Sequence, residues 1–332
     1  MKICVFGAGA VGGHIAARLA AAGNEVSVVA RGEHLAAMKE KGLRLLHGEE
    51  TIRGRVRAAE RSADLGRQEV VFVALKANLL ALFAEHAAPL LGAETPVVFA
   101  QNGIPWWYGI GRQAPDLSPL DPGGKLARVI APERIMGGVI YSANEVIEPG
   151  VILNHVPGRN MLVIGEADDR DSSRIKTLRN ILEQSGMSSP PAPDIRAAIW
   201  SKLLQNLGNS TLCTLTGATV AELRGDAGLG KLAARIGAEG RAIAQAHGID
   251  LEAAPQRPGG GHSSGMVGHK PSMLQDYERG RPMEIVSQLV MPLAFGRAAG
   301  VAAPTLEALV PLVAYKAAAK GLFSTASVGA SD

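Results

Sequence analysis

The first thirty residues alternate between apolar runs and small residues. Lys2–Phe6 is an apolar run that breaks into glycines, an alanine-rich stretch follows, and a second apolar run covers residues 25–30. Short apolar runs bounded by turn residues predict buried strands, and the longer small-residue stretch between them predicts a helix. Residues 2–31 are therefore predicted to form a strand, a tight turn, a helix and a second strand.

The first half of the chain continues this alternation. Residues 70–75 and 96–100 are continuous apolar runs, which are typical of central parallel strands buried on both faces. Further strands are predicted over residues 135–142, 145–147, 150–155 and 161–165, with a pair over 43–57, and helices over 34–41, 78–88 and 171–186. These elements predict an α/β domain.

A tryptophan-bearing segment interrupts the pattern at residues 104–125. It is rich in Gly, Pro and Asp and is predicted to be a long loop. Trp106 and Trp107 are adjacent within it. They either line a substrate pocket or cover the interface between two domains, and the second interpretation is favoured.

The second half of the chain has helical character almost throughout. The Ser- and Pro-rich segment 188–193 is predicted to be a linker, which places a domain boundary there. Helices are predicted over residues 195–213, 226–247, 272–279, 284–299 and 305–320, and Pro292 either breaks or restarts the fourth of these. The predicted organisation is an α/β domain over residues 1–190 followed by an all-helical domain over residues 194–325.

Composition supports a globular protein with two domains. The chain has 332 residues, of which 47% are hydrophobic and 20% charged, enough for two cores. The formal net charge is +3 without a long block of one sign, so neither nucleic acid nor an anionic membrane is expected as a partner. Met1 leads directly into the first strand and no apolar run approaches ~18 residues, so a cytoplasmic protein is expected.

Cysteine and histidine usage predicts no metal site. Cys4 and Cys213 are the only cysteines, so two reduced, buried thiols are expected instead of a disulfide framework or a thiolate cluster. The eight histidines are scattered without zinc-binding spacing of the H-E-x-x-H kind.

Glycines occupy the predicted turn after the first strand with the spacing G-x-G-x-x-G, at Gly7, Gly9 and Gly12. In a dinucleotide-binding unit the first glycine allows the tight turn, the second lets the backbone approach a pyrophosphate, and the third lets the helix pack against the strand. The flanking strand, helix and second strand favour this interpretation over a glycine-rich structural turn. The first domain is therefore predicted to be a Rossmann-type dinucleotide-binding domain. The predicted cofactor contacts are Gly7, Ala8, Gly9, Ala10, Val11 and Gly12.

The end of the second predicted strand indicates which dinucleotide is bound. A carboxylate there usually accepts hydrogen bonds from the ribose 2′-hydroxyl of NAD, whereas an arginine accommodates the 2′-phosphate of NADP. This chain has Arg31 at that point, so NADP is favoured. In the alternative interpretation Arg31 is a solvated surface residue, and Glu33 in the next helix binds the ribose.

Two further polar residues come after buried strands. Lys76 follows the apolar run 70–75, and Asn102 follows the run 96–100. Ligands of open α/β sheets bind beyond the carboxyl ends of the strands, so both side chains are predicted to lie near the cofactor. Each also has a structural interpretation, Lys76 as a surface lysine and Asn102 as a turn residue before a glycine.

The first helix after the linker carries candidate chemistry for the second domain. At ~100° per residue, Lys202, Asn206 and Ser210 fall on one stripe, opposite a face that includes Trp200 and Leu207. The structural interpretation is the solvated side of an amphipathic helix. Solvated faces normally carry mixed charges, however, and Lys202 is the only charged residue between positions 197 and 221. A lone ammonium among amides and hydroxyls favours a partly buried site for a small polar ligand.

Lys202 has the properties of a general acid for carbonyl reduction. Transfer of a hydride to a carbonyl leaves a developing alkoxide, which needs a positioned proton donor. The ammonium of Lys202 supplies both the positive charge and the proton. Glu284 is a candidate to hold that ammonium in place, and the alternative is an ordinary carboxylate in the first turn of a helix.

Several separate segments of the chain match the pattern of one family. They are Gly7-Ala8-Gly9-Ala10-Val11-Gly12, Arg31, Lys76 in VALKA, Gln101-Asn102-Gly103, Trp200-Ser201-Lys202-Leu203 with Asn206, and His269-Lys270-Pro271-Ser272-Met273-Leu274-Gln275-Asp276 followed by Glu284. The last three are far more specific than the glycine motif. On these residues the chain resembles the ketopantoate reductase family (2-dehydropantoate 2-reductases) over essentially its full length.

The resemblance implies hydride transfer from NADPH to 2-dehydropantoate, giving pantoate. It implies that Lys202 is the general acid and that Glu284 orients either the substrate or Lys202. The remaining implied roles are substrate binding by Asn206 and Ser272, and positions near the nicotinamide for Lys76 and Asn102.

The chain departs from the family pattern around the substrate. Ser210 stands where some members have an asparagine one helical turn after Asn206, and His269 stands where an asparagine precedes the serine of the S-M-L-Q-D motif. The segment 104–125 also looks longer than in compact members. Ser210 and His269 are included among the predicted substrate-binding residues, and the alternative for His269 is a loop histidine bonded to the backbone. These departures lie around the substrate and not the cofactor. They therefore do not change the predicted reaction type, but the identity of the substrate stays open.

Two alternatives to a 2-dehydropantoate reductase are carried forward. One is reduction of another bulky 2-oxo acid by the same machinery, and the other is a non-catalytic NADP-binding regulator. The 3-hydroxyacyl and 3-hydroxyisobutyrate dehydrogenases resemble the chain less, because their lysine and asparagine lie closer together than Lys202 and Asn206. A homodimer is expected by analogy alone.

Overall fold

The computed structural model describes residues 1–256, 268 and 270–324, which pack into two compact units. The first unit contains Met1–Gln101, Gly124–Ile195 and, from a third segment, the described residues Pro255 and Gln256. The second contains Asn102–Gly123, Arg196–Ala254 and the described residues from Gly268 onward. The segment Asn102–Gly123 therefore packs with helices that come much later in the sequence. The domain limits proposed at residues 190 and 194 stay a prediction.

The first unit is built on two sheets. Its strands are β1 (Lys2–Phe6), β2 (Glu25–Val29), β3 (Leu43–His47), β4 (Glu50–Gly54), β5 (Arg57–Ala59), β6 (Val70–Val73), β7 (Val97–Ala100), β8 (Ile135–Ile140), β9 (Asn144–Glu148), β10 (Val151–Asn154) and β11 (Leu162–Glu166). The larger sheet has the order β11-β8-β7-β6-β1-β2-β5, and its neighbours are parallel except for the antiparallel pair β8 and β11. The smaller sheet has the order β4-β3-β10-β9.

The predicted fold class is confirmed. The strands β1, β6 and β7 are buried along almost their whole length, as expected of central parallel strands covered on both faces. Because neighbouring parallel strands end at the same edge of a sheet, the residues that follow β2, β1, β6 and β7 share one edge. The predicted cofactor residues of the first unit lie along that edge.

Small residues let the first helix lie close to the smaller sheet. The helices of the first unit are α1 (Ala10–Ala21), α2 (Gly32–Lys41), α3 (Leu80–His86), α4 (Lys125–Val129) and α5 (Ser173–Gln184). A Cβ placed on Gly13 of α1 would lie 2.7 Å from Cδ1 of Ile152 in β10. A Cβ placed on Gly54 in β4 would lie 3.0 Å from Cα of Ala17. The alanine-rich composition of α1 therefore reflects packing against this sheet.

Helices dominate the described part of the second unit. They are α6 (Ile195–Thr216), α7 (Val220–Gly225), α8 (Ala227–Ala246), α9 (Ser272–Glu278), a π-helical turn (Val286–Val290), α10 (Met291–Ala298) and α11 (Pro304–Ala318). The helix α7 begins with a capping box between Thr219 and Glu222, and the side chain of Asp226 caps α8.

The tryptophan-bearing segment is held to α6 by a buried arginine. Arg196 donates hydrogen bonds to the carbonyl oxygens of Tyr108 and Ile110, at 2.8 and 2.6 Å from Nη2. The indole N–H of Trp200 donates to the Tyr108 hydroxyl at 2.8 Å. These contacts fix a segment that has no long helix or strand of its own. Trp106 and Trp107 are both buried, which leaves their two proposed roles open.

Two elements differ in detail from the sequence-based expectation, and for a third the structure selects one of two predicted outcomes. The region 43–57 was expected to hold a pair of strands, and a third strand, β5, begins at its end. The predicted linker is tied to the larger sheet, because Ser188 and Ser189 exchange hydrogen bonds with the backbone around β11. Pro292 restarts a helix, since it lies in the first turn of α10 directly after the π-helical turn.

Arg18 of α1 contacts two histidines, His14 in the same helix and His47 in β3. Nε of Arg18 donates to Nε2 of His14 at 2.9 Å, and Nη2 of Arg18 is 3.0 Å from Nδ1 of His47. His14 is fully buried. Burial, reinforced by the charges of Arg18 and His47, lowers the pKa of His14 to about 3. In the folded protein His14 is therefore neutral over the physiological range.

This cluster predicts a loss of stability in mild acid. In the unfolded chain the pKa of a histidine is ~6.5, so His14 becomes protonated there as pH falls from 7 to 5. In the folded protein His14 stays neutral over the same range. This difference lowers the free energy of unfolding by about 2 kcal/mol between pH 7 and pH 5. His14→Gln keeps an acceptor for Arg18 without a titrating group. Urea unfolding at pH 7 and pH 5 should therefore show a smaller loss in the variant than in the wild type, and equal losses would contradict the assignment.

Candidate active site

The glycine turn after β1 has the geometry that its spacing predicts. Gly7 has a φ of +97°, in the region that favours glycine, and its N–H donates to the carbonyl of Val29 at 3.0 Å. A Cβ on Gly12 would lie 1.9 Å from the carbonyl oxygen of Gly7 and 3.0 Å from Cβ of Ala74. The third glycine is therefore required for α1 to start this close to the strand.

The start of α1 fits an anionic ligand. Gly9 is the residue before the helix, and no heavy atom lies within 4 Å of a Cβ placed on it. The helix has no side-chain cap and no acidic residue in its first turn. Its first amides therefore point out of the helix without a side-chain acceptor, as in a site for a pyrophosphate.

Arg31 stands where the 2′-phosphate prediction requires a cation. It follows β2 by two positions and precedes α2, and its side chain is exposed. The first turn of α2 contains Glu33, which is also exposed. Both residues are accessible, so the choice between NADP and NAD at this strand end stays a prediction.

The ends of β6 and β7 are joined by a glutamine side chain. Nε2 of Gln101 donates to the carbonyl oxygen of Leu75 at 3.0 Å. The other amide atom, Oε1, is buried without a hydrogen-bond partner among the described residues. Lys76 follows Leu75 and is half-buried. Gln101 was recognised only as part of a motif, and its buried acceptor at the ligand edge adds it to the candidate cofactor residues.

The polar stripe on α6 runs from a half-buried to a buried environment. Lys202 and Asn206 are half-buried, and Ser210 is 2% exposed. The opposite face, with Trp200, Leu203 and Leu207, is fully buried. The stripe is thus not a solvated face, and it places an ammonium and an amide side by side in partial shelter from water.

A buried glutamine that the sequence analysis did not single out connects two of the predicted residues. Nδ2 of Asn206 lies 3.5 Å from Oε1 of Gln288, and Nε2 of Gln288 lies 3.5 Å from Oε2 of Glu284. Gln288 is 2% exposed. Two features of the sequence could have identified Gln288. It lies four residues after Glu284, and apart from Ser287 it is the only polar residue between Glu284 and Gly296.

Gln288 lies within a π-helical turn, whose backbone register differs from that of an α-helix. Met291 donates to the carbonyl of Val286, five residues earlier. The carbonyl of Ser287 would be next in this register, but residue 292 is a proline and has no N–H. The N–H of Ile104 takes its place at 2.8 Å. The turn therefore carries Gln288 and also provides an attachment point for the tryptophan-bearing segment.

Asn102 is placed by the same attachment. A Cβ on Gly103 would lie 2.5 Å from the carbonyl oxygen of Ser287, and Gly103 has a φ of +81°. Only glycine permits this close approach, so the Asn-Gly pair is more than a generic turn. Asn102 is accordingly held next to the turn that carries Gln288.

The remaining predicted substrate residues are not joined to this network. Ser272 is the first residue of α9 and is exposed, and within the described residues no hydrogen bond connects it or Ser210 to Asn206, Gln288 or Glu284. His269 lies outside the described residues. Among the described residues, no group of three His, Cys, Asp or Glu side chains could hold a metal ion, and no helix is long and apolar enough to cross a membrane.

Comparison with known proteins decides the family. Residues 3–169 match the model of the family described as ketopantoate reductase PanE/ApbA, and residues 194–317 match its C-terminal model. The chain belongs to the ketopantoate reductase family. A 2-dehydropantoate 2-reductase from Mesorhizobium japonicum is 42% identical over 330 residues, which cover 98% of this chain and all of the relative. The chain is therefore an oxidoreductase.

Solved structures agree with this membership. A protein from Ralstonia solanacearum MolK2, provisionally named a ketopantoate reductase, is 34% identical with a TM-score of 0.84, and the match covers 97% of this chain and 99% of that one. A 2-dehydropantoate 2-reductase from Geobacter metallireducens is 27% identical with a TM-score of 0.79, covering 94% and 99%. A D-mandelate dehydrogenase bound to NADH and anilino(oxo)acetate, 22% identical with a TM-score of 0.79 over 97% and 100%, shares the fold.

The bridge through Gln288 predicts a measurable effect on turnover. Gln288→Leu removes both hydrogen bonds and leaves the Glu284 carboxylate and the Asn206 amide without their shared partner, so we expect kcat/KM for the oxo acid to fall about tenfold. The control is Gln245→Met, which removes an exposed amide from α8. Steady-state kinetics check the effect, and equal values for the two variants would remove Gln288 from the site.

Proposed function

We propose that the chain catalyses the NADPH-dependent reduction of 2-dehydropantoate to pantoate, with Lys202 as the general acid. The observation that carries this proposal is the network in which Gln288 joins Asn206, on the helix of Lys202, to Glu284. The full-length similarity to a 2-dehydropantoate 2-reductase supports the choice of substrate. The alternatives are another bulky 2-oxo acid and a non-catalytic NADP-binding regulator.

The first unit would hold the cofactor. The uncapped amides at the start of α1 and the open space around Gly9 suit the pyrophosphate, and the exposed guanidinium of Arg31 at the end of β2 suits a 2′-phosphate. Lys76 and Gln101 follow the neighbouring strands β6 and β7 at the same edge. When bound there, NADPH supplies the hydride for the reaction.

The second unit would supply the proton. Reduction of a ketone needs a hydride at carbon and a proton at oxygen, and negative charge develops on that oxygen as the hydride arrives. Nζ of Lys202 donates its proton to this oxygen, which yields the 2-hydroxy acid and leaves a neutral amine that is reprotonated from water. Partial burial of the α6 stripe strengthens the interaction of the ammonium with the developing charge.

Asn206 and Glu284 would position the substrate around Lys202. The amide of Asn206 lies one helical turn from Lys202, so both side chains face the same direction. Gln288 restrains Asn206 and Glu284 relative to each other. Ser272, Ser210 and His269 remain proposed contacts of the substrate. Location in the cytoplasm and assembly as a homodimer are also proposals, the latter by analogy with a dimeric ketopantoate reductase from Staphylococcus aureus.

A panel of 2-oxo acids tests the choice of substrate. We expect kcat/KM with NADPH to be at least about tenfold higher for 2-dehydropantoate than for 2-oxobutanoate, 2-oxo-3-methylbutanoate or phenylglyoxylate, because a site that binds a substrate hydroxyl rejects analogues that lack it. Equal or higher values for one of these acids would support the alternative reductase. NADPH binding without oxidation by any acid would support the regulator.

Replacement of Lys202 tests the general acid. Lys202→Met keeps the length of the side chain and removes its proton and charge, so kcat should fall by about 10²- to 10⁴-fold while the Kd for NADPH stays unchanged. The matched control is Lys231→Met, on an exposed lysine of α8. Stopped-flow single turnover separates the chemical step from product release. A wild-type rate for Lys202→Met would exclude Lys202 as the proton donor.

A further inference from the structure

His34 joins three segments of the first unit through its imidazole ring. Nε2 of His34 is 2.6 Å from the carbonyl oxygen of Ala8, and Nδ1 is 2.8 Å from the backbone nitrogen of Gly150. His34 lies in the first turn of α2, Ala8 lies in the glycine turn, and Gly150 lies between β9 and β10. The ring is half-buried, so these contacts are partly sheltered from water.

The two contacts define the roles of the ring nitrogens. The backbone N–H of Gly150 can only donate, so Nδ1 of His34 accepts and carries no hydrogen. A neutral imidazole then carries its hydrogen on Nε2, which donates to the Ala8 carbonyl. The ring therefore accepts a hydrogen bond from the Gly150 amide on one side and donates one to the glycine turn on the other.

A hydrogen bond to the Ala8 carbonyl also orients the next amide. The peptide group between Ala8 and Gly9 is planar and trans, so its N–H points opposite to its C=O. With the carbonyl held towards His34, the N–H of Gly9 is directed away from His34. Gly9 is the residue directly before α1, and no heavy atom lies within 4 Å of a Cβ placed on it. This amide is the second-glycine position that approaches a pyrophosphate in dinucleotide sites.

We propose that His34 is a positioning residue for the cofactor. It holds the Ala8–Gly9 peptide in the orientation in which the Gly9 amide binds the pyrophosphate of NADP(H). This inference rests on the proposed function, which assigns that cofactor to the glycine turn. The competing interpretation is that His34 only fastens the β9–β10 turn to α2 through Gly150 and does not affect the ligand.

Two amide substitutions separate the two hydrogen bonds of the ring. The amide nitrogen of glutamine can take the place of Nε2, so His34→Gln keeps the donor for Ala8 and loses the acceptor for Gly150. Asparagine is shorter, and its oxygen can take the place of Nδ1, so His34→Asn keeps the contact to Gly150 and loses the contact to Ala8. By calorimetric titration, we expect the Kd for NADP to rise about tenfold in His34→Asn and to stay within about twofold of the wild type in His34→Gln.

The affinity for adenosine 2′-phosphate distinguishes a specific effect on the pyrophosphate contact from a general structural defect, because a general defect would weaken binding of this ligand too. It has the 2′-phosphate but no pyrophosphate, so its affinity should be the same in His34→Asn and in the wild type. Arg31→Ala serves as the comparator, because loss of that guanidinium should weaken both adenosine 2′-phosphate and NADP. His86→Gln, on an exposed histidine of α3, controls for the loss of an imidazole.

The outcomes of these titrations test the role of His34 and the cofactor assignment separately. Unchanged NADP affinity in His34→Asn, or an equal loss of affinity for NADP and adenosine 2′-phosphate, would overturn the role assigned to His34. A tenfold loss in His34→Gln would do the same, because that variant keeps the contact to Ala8. A wild-type protein that bound neither NADP nor NAD would instead overturn the cofactor assignment, which separates failure of the proposed function from failure of this inference.

Discussion

The close approach between Gly12 and the carbonyl oxygen of Gly7 is the constraint on which the candidate cofactor site depends. A side chain at Gly12 would begin 1.9 Å from that oxygen, so any other residue would push α1 away from the turn. The position of α1 in turn fixes where its first amides lie and leaves the space beside Gly9 open. The candidate anion site is thus formed by backbone orientation, and Arg31 would add a charge only at the neighbouring strand end.

A second close approach has the same effect in the second unit. Gly103 lies against the carbonyl of Ser287, and that carbonyl is free of its helical partner because Pro292 has no N–H. The resulting π-helical turn departs from the regular spacing and holds a buried glutamine between Asn206 and Glu284. The same turn therefore carries the polar side chain of Gln288 and the backbone carbonyl that binds the tryptophan-bearing segment.

The sequence predicts the features that arise from local chemistry. Glycine spacing, apolar runs and the residues after each strand were enough to predict the parallel sheet, the turn after β1 and the positions of Arg31 and Lys76. Gln288 was not singled out because its place four residues after Glu284 is a weak signal, and its contact with Asn206, 82 residues earlier in the chain, forms only in the tertiary fold. The contact of His34 with Gly150 could not be predicted from the sequence, because the two residues are distant in sequence and only the tertiary fold brings them together. The packing of Asn102–Gly123 with the later helices depends on Arg196 in the same way.

The fold leaves the choice of substrate to a small number of side chains. An arrangement of strands and helices does not by itself define which substrate an enzyme acts on. Any 2-oxo acid presents the same carbonyl to a hydride and to a proton donor, and the difference lies in what surrounds the rest of the molecule. Ser210 continues the stripe of Lys202 and Asn206 into a buried environment. Buried polar groups discriminate strongly, because a ligand that cannot satisfy them leaves them unpaired at a cost of about 1 to 3 kcal/mol each. In the proposed function, a polar stripe of this kind beside the substrate would favour a substrate with a polar group beyond its carboxylate over a purely hydrocarbon one.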